Sequence, residues 1–211
     1  DPLMLRLAAE SKSGVGYSTA FVGFSGMLIA LYLRGYARIT GLVISSVAIL
    51  FSFTISGHSQ LGGILTQSLL MIHLLGVAFW LGALFPFRFI CLQPDPNNLG
   101  LIAHRFGFLA IGYVGMLLGS GLCYAYLLLG DISFIITTRY GNLLLLKFML
   151  VLALLSLAAL NKFRLVPLLK SNVAYTLRKF QSSVNFEIAF ALMILTASSL
   201  LTTSMALPMG I

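Results

Sequence analysis

Acidic residues are nearly missing from this chain: five Asp and Glu stand among 211 residues, and charged residues of both signs reach only 9%. An ordinary globular domain carries about a quarter charged residues, so a water-facing surface cannot be built from this composition. Five scattered carboxylates also cannot supply a paired-carboxylate machine. Cysteine is scarce too. Helix rise separates Cys91 and Cys123 by roughly 30 Å, beyond the reach of a disulfide. The chain contains no GxGxxG, Walker loop, HExxH, GxSxG or CxxC, so nucleotide chemistry and the common soluble-enzyme chemistries have no site. The expectation is a protein that is not an enzyme. The chain opens on Asp1-Pro2 with no initiator Met and no signal-peptide pattern, and it is expected to be a fragment or processed form of a longer protein.

What remains is apolar. Residues of the AVILMFWYC set make up 59% of the chain, and the mean hydropathy is +1.02. About 20 apolar residues span a hydrocarbon core of ~30 Å, and six such segments can be read, at 14–33, 39–56, 62–90, 101–129, 142–160 and 180–203. Their apolar runs lack the period-two alternation of barrel strands. The fold predicted is therefore an all-α integral membrane protein, one polytopic bundle of about six helices over 1–211.

Thirteen Lys and Arg give the chain a net charge of +8, but their placement speaks of orientation. Arg34, Arg38, Arg88, Arg105, Lys162, Arg164, Lys170, Arg178 and Lys179 all fall on one side of the six-span arrangement. Arg6, Lys12 and Arg139 fall on the other, and Lys147 lies inside the fifth span. The positive-inside rule puts the nine in the cytoplasm and both termini in the periplasm of a bacterial inner membrane. No nucleic-acid partner is needed to explain the charge. Gly115 and Gly119 form a GxxxG on the fourth span, and Gly16, Gly23 and Gly26 mark the first as places where helices pack closely.

Ionisable groups at membrane depth cost about 2.5–3.5 kcal/mol or more for Asp, Lys or Arg, so each one calls for a reason. His73 lies roughly 16 Å into the third span and shares a helix face with Gly62, Thr66, Val77, Trp80 and Leu84. It can be a metal or haem ligand, a proton carrier or a structural partner. His58 sits in the turn before that helix, at the same mouth. Glu187 falls about two turns inside the sixth span, open to pairing with a cation of the 162–179 stretch or to carrying a proton or cation. Lys147 can snorkel to the interface. Met71, Met205 and Met209 add thioethers on the outer side, and thioether with imidazole suits Cu(I), whereas hard cations want oxygen.

The segment His73-Leu74-Leu75-Gly76-Val77-Ala78-Phe79-Trp80-Leu81-Gly82-Ala83-Leu84 resembles the copper resistance protein D (CopD/PcoD) family, whose marker is a histidine, an aliphatic run and Trp-Leu-Gly. Ser56-Gly57-His58, Arg105-Phe106, Ser120-Gly121, Tyr140-Gly141 through Lys147, Ala159 through Leu165, and Glu187 resemble further family segments, in order. Family members typically have about eight spans, so N-terminal helices are expected beyond this chain. The resemblance implies inner-membrane copper transport toward the cytoplasm, with a periplasmic CopC-type partner. It also implies metal ligands among His58, His73, Met71, Met205 and Met209, and an ion pathway that includes Glu187 and Trp80. The His73 run also resembles haem-binding membrane protoporphyrinogen oxidases, which would make haem b the cofactor. A third possibility is an assembly scaffold for a copper enzyme.

Overall fold

The computed structural model describes residues 1–60, 62–90, 96–168 and 173–204. Cys91, Lys170, Met205 and Met209 lie outside the described residues. In order, the helices are α1 (Pro2–Glu10), α2 (Lys12–Tyr32), α3 (Gly35–Ile55), α4 (Gly63–Ile90), α5 (Pro96–Leu129), α6 (Phe134–Thr137), α7 (Arg139–Leu160), α8 (Val166–Leu168) and α9 (Val173–Thr203). No strand occurs among the described residues. Six helices are long and apolar enough to cross a membrane, at Lys12–Tyr32, Gly35–Ile55, Gly63–Ile90, Ile102–Leu129, Arg139–Leu168 and Thr176–Thr203. The chain is an all-α polytopic membrane protein, as its composition predicts.

The helix ends follow local rules. Asp1 Oδ1 accepts the Leu3 N–H at 3.0 Å, Ser11 Oγ accepts from Gly14 N at 3.0 Å, and Thr138 Oγ1 from Gly141 N at 3.0 Å, each a side-chain cap on an orphan amide. Between α5 and α6 the Asp131 carboxylate accepts the Ser133 N–H at 2.8 Å, which holds it below the usual range. The helices of the fourth and sixth spans start earlier than expected, at Pro96 and Val173 rather than at 101 and 180, and the fifth departs at its end. The helix does not stop at Leu160 but runs on through a π turn, Asn161–Leu165, into α8. The short α1 was also not expected; it carries an exposed Arg6–Glu10 pair at 3.0 Å.

The chain divides into two compact units, 1–75 with 120–127, and 76–119 with 128–211. In the first, α2 packs along α3 through small residues. A Cβ on Gly23 would sit 2.7 Å from Ile49 Cγ1 and 3.1 Å from the Ser45 carbonyl oxygen, and one on Gly26 would sit 2.8 Å from Ser45 Oγ. The facing α3 surface buries Ser45 and Ser52, while Thr54, also buried, leaves the other side of the helix. Ser52 and Thr54 give their hydroxyls to their own helix, at Ile49 O (2.6 Å) and Phe51 O (2.8 Å), so polar atoms are buried at little cost.

In the second unit, Phe79 stacks on Tyr113 at 3.9 Å and on Phe106 at 5.3 Å between ring centroids. Gly76 lets Leu117 approach. Around them lie two apolar clusters. Phe87, Ala103, Leu165, Phe180 and Val184 form one; Trp80, Leu84, Leu154 and Ala191 form the other. Ile188 packs against both. At the GxxxG a Cβ on Gly115 or Gly119 meets nothing within 4 Å among the described residues.

The close α2–α3 approach yields a stability prediction. Gly23→Val should destabilise the protein by about 1–3 kcal/mol through overpacking, read as a lower thermal midpoint in detergent, whereas Gly112→Ala, whose Cβ meets open space, should leave the midpoint unchanged.

Candidate functional site

Two polar assemblies interrupt the apolar bundle, one in each unit. The first is built on the turn between α3 and α4. Gly57 takes φ +82°, a left-handed backbone that costs an L-residue roughly 1–2 kcal/mol, and it turns the chain into the 3-10 segment His58–Gln60. Three helices hold this turn. Gln60 Nε2 donates to Thr54 O at 2.5 Å, Lys12 Nζ donates to Gln60 Oε1 at 3.3 Å, and Thr66 Oγ1 donates to Ser59 O at 2.6 Å. Thr54, Ser59 and Thr66 are at most 2% exposed. The half-buried His58 thus sits on a fixed platform rather than a loose loop.

His73 lies two turns beyond Thr66 on the same face of α4 and is half-buried. Its ring lies against α5: a Cβ on Gly121 would stand 2.8 Å from His73 Nδ1 and 2.9 Å from Cε1. Gly121 therefore provides the space the imidazole occupies, and Ser120 beside it is buried. The Ser120-Gly121 pair carries no sign of this role in the sequence, because the role depends on the pairing of α4 with α5. Met71 is two residues from His73 on a continuous helix, so the two side chains leave opposite sides of α4. Trp80 lies in the second unit, where it is 8% exposed and belongs to the apolar core. Its Nε1 has no hydrogen-bond partner among the described residues.

The second assembly centres on Glu187, 5% exposed on the buried stripe of α9. One of the two expectations for it is a pairing with a lysine or arginine of the 162–179 stretch, of which 169–172 lie outside the described residues. Its hydrogen-bond partner is instead the amide of Asn161, whose Nδ2 donates to Glu187 Oε1 at 2.5 Å. Asn161 opens the π turn, a local overwidening frequently found at functional sites. Lys162, the next residue, turns away, with Nζ donating to Gly107 O at 2.6 Å. Ser183, one turn before Glu187 on α9, is also buried. Among the described residues no group of three or more His, Cys, Asp or Glu could hold a metal ion, and Cys123 is an exposed free thiol.

These features define a helical membrane protein with sparse imidazole and carboxylate stations in an apolar bundle. Residues 100–201, just under half of the chain, match the family model described as copper resistance protein D, a match consistent with a copper resistance protein D-like membrane protein. The match contains Gly121, Lys147, Asn161 and Glu187; His58 and His73 precede it. Comparison with curated proteins and with solved structures finds no match.

The seat of His73 is directly testable. Gly121→Ala should displace the imidazole and shift the His73 ring signals in a histidine-labelled nuclear magnetic resonance spectrum, while Gly115→Ala should not. Unmoved signals in Gly121→Ala would show that the ring does not rest there.

Proposed function

We propose that this protein is a copper transporter rather than an enzyme, taking the ion from the periplasmic side of a bacterial inner membrane toward the cytoplasm. His58 and His73 are the ligands of the entry stretch. Met71, Met205 and Met209 are auxiliary thioethers, and the inner part of the route lies among the residues that include Trp80 and Glu187. A periplasmic copper-binding protein of the CopC type delivers the ion. The observation that carries this reading is His73 itself: a half-buried imidazole on a membrane-spanning helix, seated against a glycine, in a chain with a copper resistance domain.

The chemistry is consistent with passage rather than storage. Imidazole binds soft and borderline cations, and a station with few ligands releases its ion readily. A conducting site has to bind weakly enough to let the ion leave. The Lys147 ammonium is a fixed charge or structural group in this scheme and not a ligand.

His73→Ala should lower copper accumulation in cells expressing the protein, by about tenfold or more if one ligand interaction of ~1.4 kcal/mol is lost from the rate-determining station. The measurement is cellular copper by elemental analysis at matched membrane expression. Accumulation equal to wild type would overturn the reading.

A further inference from the structure

We propose that Glu187, Asn161 and Ser183 form a binding site for a hard monovalent cation, a proton or a sodium ion, whose gradient drives copper movement. The coupling rests on the copper reading above; the cation site does not.

The three residues are each at least nine-tenths buried, at 5%, 7% and 7% exposure. Asn161 Nδ2 is spent on Glu187 Oε1, which leaves Asn161 Oδ1 beside the carboxylate. That oxygen and Ser183 Oγ have no hydrogen-bond partner among the described residues. Buried polar atoms are normally satisfied, because leaving one bare costs free energy. Here two of them flank the one carboxylate of α9, on the same face of that helix or at the turn packed against it. A carboxylate, an amide oxygen and a hydroxyl are all acceptors toward a cation, so the assembly is completed by positive charge.

The kind of cation follows from the atoms. Oxygen alone suits hard ions, while copper of the soft, reduced kind prefers sulfur and imidazole. Neither is present among these three residues, so the cluster discriminates against the cargo that His73 suits. Apolar residues close it on both sides, with Leu165, Phe180 and Val184 below and Leu154 and Ala191 above along the helix pair. Neighbouring charges are engaged or turned outward. Lys162 is bonded to Gly107 O, and Arg88 Nε to Asn185 Oδ1 at 2.9 Å. Arg164, Arg178 and Lys179 of the same two segments and His104 and Arg105 of α5 are exposed. Lys147 is about four turns away along α7.

Infrared difference spectra of the purified full chain, taken on exchanging sodium for choline at fixed pH and on changing pH without sodium, read the site without copper. A carboxyl band that responds to one of the two exchanges, vanishes in Glu187→Gln, and titrates with a midpoint displaced about tenfold or more in Ser183→Ala and Asn161→Ala is the expected result. The exchange that moves the band names the ion. A Glu187 band indifferent to both exchanges, or midpoints unchanged in both variants, overturns the site. In proteoliposomes, a gradient of the same ion should accelerate copper flux through wild type and not through Glu187→Gln. Equal acceleration of both overturns the coupling, as does a wild-type flux indifferent to the gradient. A wild-type protein that moves no copper in any arm overturns the transport reading, while the infrared titration still decides the cation site.

Discussion

Hydrocarbon cannot form hydrogen bonds, and nearly everything in this chain follows from that. With no water to satisfy backbone groups, each crossing segment has to close its own hydrogen bonds, which only a helix does alone. The same rule governs the side chains. Hydroxyls along α3, α7 and α9 return to carbonyls three or four residues back on their own helices, as Ser46, Ser156 and Thr196 do. Association between helices gains little from apolar burial in lipid, so close approach at small residues replaces it. The α2–α3 contact at Gly23 and Gly26 has this origin.

Against that background the polar groups that do not fold back on their own helix stand out. The turn at His58–Gln60 is tied to three helices, and Glu187 reaches across from α9 to the π turn after α7. These two places differ in chemistry. The first offers imidazole, with a second imidazole two turns along α4 from the threonine that holds it. The second offers only oxygen. A protein that handles a soft cation and is driven by a hard one would need both kinds, held apart in composition so that neither ion occupies the other's place.

The six crossing helices were legible because length and hydropathy alone determine them, although the helices of the fourth and sixth spans begin earlier and that of the fifth runs on further than the apolar segments themselves. His73, Glu187 and Trp80 were legible as exceptions within apolar runs. Their neighbours were not. Gly121 as the seat of His73, and Asn161 as the partner of Glu187, depend on which helices lie side by side, and one chain's periodicity does not specify that. The GxxxG at Gly115 and Gly119 is limited in the same way: the motif marks a surface able to pack closely but does not say against what. The basic residues after Leu160 suggested an open connector, whereas the backbone stays helical to Leu168 because Lys162 and its neighbours can extend their charges from a helix as easily as from a loop.

The π turn has one more consequence. A π turn holds one residue more than the α-helical turn it replaces, so the helix on either side of Asn161–Leu165 is out of phase by one position. The face that α7 turns toward α9 is not the face that α8 would present if the helix were regular. Excising a single residue within the turn would restore a regular helix but rotate everything beyond it by about 100°, carrying either the amide of Asn161 or the buried Leu165 off the stripe that meets α9. The turn acts as a phase adjuster: it lets one helix meet its neighbour with an apolar surface at Leu154 and with a polar group at Asn161, while Lys162 reaches the Gly107 carbonyl of α5 and Arg164 stays exposed.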